Sequence, residues 1–263
     1  MALVLLMLVG GLLIGLLMGA LGGGGAILAV PLLVYGAGMA PASATLASLV
    51  IVSLGSITGI ATHARAVRWR QGITFGALGI AGASVGRMLS VGVDGSALLL
   101  AFSALLVVVA SLMVTKALRA TPARPSHPAH TTHLAPGRLA RLIGAASGVG
   151  FLTGFFGVGG GFAIVPALTL ILGLGMGAAV GTSLLVILIN SLITLALSAS
   201  HLATLDWALL LPLLLTTVAG VLAGGWVGKR VSRRALQLSF AGFLYLISIY
   251  IAVSTLTQLA ASR

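Results

Sequence analysis

Gly22-Gly-Gly-Gly-Ala-Ile-Leu-Ala-Val-Pro31 and Gly157-Val-Gly-Gly-Gly-Phe-Ala-Ile-Val-Pro166 are two versions of one phrase, and Pro166 lies 135 positions after Pro31. Working outward, the same offset pairs Gly15 with Gly150, Gly19 with Gly154, Gly24 with Gly159 and Gly25 with Gly160. It also pairs Ala44 with Ala179, Ser48 with Ser183 and Leu49 with Leu184. Further on the offset becomes 138, joining Trp69 to Trp207, Gly82 to Gly220 and Gly86 to Gly224. Matches at rare Trp positions and at spaced glycines mark a duplicated chain. We divide it into a first repeat, 1–116, a linker, 117–138, and a second repeat, 139–263.

Around these phrases the sequence is apolar: 59% hydrophobic, 6% charged, mean hydropathy +1.23. Soluble domains carry about 25% charged residues, so this chain cannot cover a soluble surface. Apolar stretches near the roughly 20 residues of a spanning helix recur at Ala2–Leu21, Ala42–Thr62, Gly72–Val93, Gly95–Lys116, Leu139–Phe156, Gly177–Ala199, Trp207–Gly228 and Ala235–Leu259. Two shorter segments, Ala26–Gly38 and Phe162–Leu174, each follow a glycine cluster and contain a proline. Counting these as crossings gives five per repeat. The expected fold is an all-α polytopic membrane protein with broken or re-entrant helices at the glycine-rich motifs. The linker holds Pro122, Pro125, Pro128 and Pro136 and reads as extended or flexible.

The net charge of +12 does not point to nucleic acid, because the basic residues fall between apolar segments and read as cytoplasmic loops. In the first half Arg65, Arg68 and Arg70 share one loop, and Lys116, Arg119 and Arg124 follow two spans later. In the second half the cluster Lys229, Arg230, Arg233 and Arg234 sits one span later than the counterpart of the first loop. The charge bias changes sides, so we expect inverted repeats, a frequent build of secondary transporters. This places the linker in the cytoplasm and both termini outside. Trp69, Trp207 and Trp226 read as interface anchors.

The glycine clusters are the candidate site. A helix start carries unpaired N–H groups and partial positive charge, which hold an anion without a basic side chain. We expect helices to resume at Ala26 and Phe162 near the midplane, with Gly24, Gly25, Ala26, Gly159, Gly160 and Gly161 approaching substrate. Thr45, Ser48, Thr182, Ser183 and Asn190 on the following spans would complete a ring of hydrogen-bond donors. The competing reading is close helix packing for the glycines and local bonding for the hydroxyls. Arg87, late in its span, either snorkels outward or meets the anion.

Other chemistries lack residues. There is no Cys, hence no disulfide or thiol nucleophile. No Asp or Glu lies within a span: Asp94 falls in a turn, and Asp206 reads as an N-cap. His63 and His201 are expected in loops, and His127, His130 and His133 in the proline-rich linker read as solvated chain rather than a metal site. Neither a Gly-x-Ser-x-Gly elbow nor a Walker A phrase occurs. No cofactor, metal or catalytic residue is implied.

Gly22–Pro31 with Leu32-Leu33, Gly154–Pro166, the Ala-x-x-Thr-Ser-Leu pattern at Ala179–Leu184 and the pair Asp206-Trp207 resemble the TauE/SafE sulfite-exporter family. The likeness runs from about Gly15 to Leu256. It implies transport of sulfite, sulfoacetate or a related small anion, often export, across the cytoplasmic membrane of prokaryotes. Cation-coupled uptake and an anion channel are the alternatives. The implied partners are the anion, the lipid bilayer and, optionally, a second copy as a homodimer, with no nucleic acid. The first half departs from the pattern, with Ala47 against Thr182 and Arg68 against Asp206.

Overall fold

The computed structural model describes residues 2–90, 95–119, 136–156, 161–198, 202 and 205–261. All regular structure among them is helical. The first repeat comprises α1 (Ala2–Leu21), a 3₁₀ turn (Gly23–Gly25) running into α2 (Ala26–Pro31), a π turn (Leu32–Gly36), α3 (Pro41–His63), α4 (Trp69–Ser90) and α5 (Gly95–Arg119). The second comprises α6 (Pro136–Phe156), α7 (Gly161–Leu170), α8 (Met176–Leu197), α9 (Trp207–Arg230) and α10 (Arg233–Ala261). By length and composition α3, α5, α8, α9 and α10 are able to cross a membrane, and parts of α1, α2 and α6 form shorter apolar helices.

Two glycine seams organise the packing. On α1 and α9, a Cβ added at Gly15, Gly19, Gly220 or Gly224 would strike the carbonyl oxygen of Thr217, Val221, Leu12 or Leu16 respectively. On α6 and α4 the same happens at Gly150, Gly154, Gly82 and Gly86, against Gly79, Ala83, Ser147 and Phe151. The two lists correspond position by position under the sequence offsets. Small residues let helix backbones touch in lipid, where no hydrophobic force draws helices together. Each seam therefore joins one helix from each half.

The contact order fixes directions. Gly11, Gly15 and Gly19 meet Leu213, Thr217 and Val221 in turn, so α1 and α9 run parallel. Gly55 meets Thr217, and Gly59 meets Val221, which sets α3 parallel to both. In contrast Gly59 meets Leu184 while His63 meets Gly181, so α3 and α8 are antiparallel. Gly72 meets Thr182 and Gly76 meets Ile189, aligning α4 with α8 and, through the seam, with α6. Hydrogen bonds from Ser248 to the Ser103 carbonyl (2.9 Å) and between Ser111 and Tyr245 (2.6 Å) fasten α10 against α5.

These directions bring the ends of α3, α5 and α9 to one side of the molecule, together with the starts of α4, α8 and α10. Arg65, Arg68, Arg70, Lys116, Arg119, Lys229, Arg230 and Arg234 all belong to these ends. The Lys116 ammonium donates to the carbonyl of Thr169, which places the C-terminus of α7 at this basic end as well. There a cation meets the unpaired carbonyls of a helix end. Asp206 lies at the opposite side, where its carboxylate caps α9 by accepting from Ala208 and Leu209 N–H (3.1 and 3.3 Å), as its sequence context implies. Asp94, His201 and the linker histidines fall outside the described residues, as does the Arg87 side chain.

Candidate functional site

The chain breaks at Gly22, not at Ala26. Gly22 adopts φ 78°, a left-handed conformation open to glycine and costly for residues with a Cβ. Helical backbone resumes at once as the 3₁₀ turn, and Ala26 N–H already donates to the Gly23 carbonyl. The polar helix start expected at Ala26 therefore belongs to Gly23–Gly25, one turn earlier. All three of these glycines are buried.

The glycines have different neighbours. A Cβ on Gly22 would lie 2.5 Å from Ser183 Oγ and 3.3 Å from Val180 Cα. On Gly24 it would meet the ring edges of Phe240 and Phe243 at 3.2 and 3.5 Å. Gly25 faces the Ile14 carbonyl and Met18 of its own α1, so it is a hairpin-packing glycine. Gly161 begins α7, while Gly159 and Gly160 lie outside the described residues. The meeting of Gly22 with Ser183 joins the break of the first half to α8 of the second. It lies level with the second turn of α8, about 10 Å from that helix's start at 1.5 Å per residue. The first cluster thus sits nearer the basic end than the expected midplane.

The polar ring divides into separate duties. Ser183 is fully buried and donates to the Val180 carbonyl (2.8 Å). Ser48 makes the equivalent bond to the Thr45 carbonyl (2.7 Å), and Thr45 itself is exposed. Thr182 Oγ1 accepts from Arg68 N–H (3.1 Å). It thereby serves the start of α4, where Arg68 replaces the capping aspartate of the other half. Asn190, two turns beyond Ser183, is half-buried, and its Oδ1 has no hydrogen-bond partner among the described residues. The structure brings Ser183 to the Gly22 break and puts Thr182 one residue away in a capping role. It does not assemble all five residues around one point.

One cavity of about 730 Å³ opens at the basic end. His63, Arg65 and Lys229 supply its ionisable lining, and the first turn of α8, Gly175–Ala178, forms part of the wall. Its lining includes Ala20 and Val180, and Val180 is one of three residues, with Ser183 and Val165, against which a Cβ on Gly22 would lie. The cavity therefore has cationic side chains in its wall and shares Val180 with the surroundings of the helix break, while Gly22–Gly25 and Ser183 are not among its lining residues. No carboxylate lines it among the described residues. His63, expected in a loop, instead forms the last turn of α3. Sequence reasoning used Arg65 and Lys229 for orientation only. That α3 and α9 end side by side is a long-range fact, and the displaced basic clusters were its only trace.

Comparison with known proteins points to membrane transporters. A family model described as "Sulfite exporter TauE/SafE" matches residues 7–251. Probable membrane transporter proteins of Xylella fastidiosa strains 9a5c and Temecula1 are 34% and 35% identical over 244 residues, covering 91% of this chain and of each relative. A probable membrane transporter protein of Methanocaldococcus jannaschii is 34% identical over 112 residues, 40% of this chain and 42% of its own. No solved structure matches.

Proposed function

The chain belongs to the TauE/SafE sulfite exporter family, and from that premise we propose that it exports a small oxyanion across the prokaryotic cytoplasmic membrane by alternating access. The substrate class is sulfite, sulfoacetate or another organosulfonate. The observation that carries the reading is the cavity: lined by Arg65, Lys229 and His63, with no carboxylate among the described lining residues, and sharing Val180 with the surroundings of the helix break at Gly22. The helix start at Gly23–Gly25, with Ser183 beside Gly22, offers the partial positive charge of backbone N–H groups to an anion that has passed the cationic wall. A volume of about 730 Å³ lies in the range of organic-ligand sites, about 300–1,000 Å³, and exceeds what bare sulfite needs.

Gathering of basic residues at one end supports a cytoplasmic mouth and a cytoplasmic linker 117–138. Opposite directions of α3 and its equivalent α8 support the inverted-repeat reading, in which the halves rock about a shared site. An inside-negative potential favours anion exit by roughly 2.3 kcal/mol per charge per 100 mV, so export needs no coupled cation.

Reconstitution tests this. Proteoliposomes should show saturable flux of labelled sulfite or sulfoacetate, with thiosulfate, sulfate and small carboxylates ranking below. Equal rates with and without protein would overturn transport, and unsaturable flux would replace the carrier with a channel.

A further inference from the structure

His63 is the one side chain in the cavity wall whose charge ordinarily changes near neutral pH. Its Nδ1 lies 2.9 Å from Thr62 Oγ1 and 3.1 Å from the Gly59 carbonyl oxygen. Thr62 has a single hydroxyl proton, directed at the same Gly59 carbonyl (2.8 Å). Nδ1 must therefore carry the hydrogen in both of its contacts. Neutral His63 then holds its lone pair on Nε2, which makes no hydrogen bond to the described residues. Among the surrounding elements, α9 brings Lys229, and the loop after α3 brings Arg65. The lining from α1, α8 and α10 (Ala20, Gly175–Ala178, Val180 and Leu236) carries no ionisable side chain. Arg230, beside Lys229, is held over the Trp226 ring at 3.4 Å.

Arg65 and Lys229 share the cavity wall with His63, so an anion bound in this wall meets both side chains and gains a charge-assisted hydrogen bond if Nε2 carries a proton. We infer that the cavity mouth is a proton-linked anion site: a sulfonate held by Arg65 and Lys229 draws one proton from solvent onto His63 Nε2, which donates to it. The proton leaves when the anion does, so charge and hydrogen balance without a further reactant. This deepens the transport reading by naming how the mouth recognises its ligand, and it rests on that reading for the direction of passage.

Calorimetric binding of methanesulfonate to the purified full chain in detergent tests it. Methanesulfonate does not titrate near neutrality, whereas sulfite does. Binding should weaken about tenfold between about pH 6 and pH 8. Heats in buffers of different ionisation enthalpy should report net proton uptake on binding in the middle of this range, falling toward zero at the upper end. His63→Gln should bind with the parent's upper-pH affinity at every pH, and Arg65→Gln with Lys229→Gln should weaken binding throughout. No saturable binding, no proton uptake by the parent, or a pH dependence surviving in His63→Gln overturns the site. The buffer experiment needs no variant, so a misfolded His63→Gln does not rescue the inference. Flux without linked proton binding removes this inference and leaves transport standing; linked binding without flux does the reverse.

Discussion

Helices α4 and α9 start at equivalent tryptophans, Trp69 and Trp207, and pack by matching glycine seams on α6 and α1. Their first turns are satisfied by different means. Asp206 caps α9 from within its own chain segment. Arg68 stands at the equivalent place before α4 and has no side-chain acceptor to offer, and its N–H is met instead by Thr182 of α8. The half that supplies Thr182 has its own Asp206, and the half that lacks the aspartate has Ala47 where Thr182 would be. The two contacts meet different donors: Asp206 accepts from Ala208 and Leu209 N–H, two and three residues on, while Thr182 accepts from the N–H of Arg68 itself. A hydroxyl that stands in a family motif therefore requires its hydrogen bond to be traced before it is assigned to substrate.

The most decisive break of the comparison concerns orientation. The chain has no native Cys, so Ser126→Cys provides a single thiol in the linker. An impermeant maleimide applied to intact cells should leave it unlabelled, and permeabilisation should expose it fully. Labelling of intact cells would undo the opposed orientation of the halves.

Next come the seams. Gly19→Val and Gly154→Val should be equally damaging, each by about 3 kcal/mol or more, because a Cβ there meets backbone that cannot give way. Gly148→Ala, with open space around it, should leave the melting temperature in detergent unchanged. Unequal losses in the two valine variants would mean that the seams are not equivalent. Gly25→Val belongs with the damaging variants, given the Ile14 carbonyl it faces, and is a poor probe of substrate contact.

The caps should separate more gently. Thr182→Val leaves the Arg68 N–H without its partner and should cost about 1–2 kcal/mol of stability. Asp206→Ala should cost about 1 kcal/mol, and Arg68→Asp should add stability of similar size by giving α4 a cap of its own. Melting curves check all three. A changed KM for sulfite in Thr182→Val, with an unchanged melt, would return that hydroxyl to the substrate. Ser183→Ala should show the smallest effect. Its hydroxyl is already spent on Val180, so loss of one lone-pair contact should raise KM by up to about fivefold, on the order of 1 kcal/mol.

The helical class and the approximate course of the helices were legible in the residues, since apolar runs are local signals, although α4 runs Trp69–Ser90 where Gly72–Val93 was expected. Ala2–Leu21 and the starts at Gly95 and Trp207 coincide with the helices observed. Much of the site was not legible. The orientation of Gly25 toward Ile14 and of Gly22 toward Ser183 depends on which way a hairpin closes, and nothing within ten residues of either glycine records it. Thr182, Ala47, Arg68 and Asp206 were visible as exceptions to the repeat, but only a contact between α8 and α4 turns the exceptions into an exchange.

The glycine seams also bear on how the protein is made. Translation proceeds at roughly 5–20 residues per second, and Val221, against which Gly19 closes, is synthesised 202 residues later. For a time on the order of ten seconds or more, α1 must wait in the bilayer with its glycine stripe against lipid. A ribosome that stopped after the first repeat would release a fragment with one helix of each seam and neither partner. The two halves cannot mature as independent modules, and a nascent chain of this design needs an insertase, or a quiet patch of membrane, to hold its first helix until the ninth arrives.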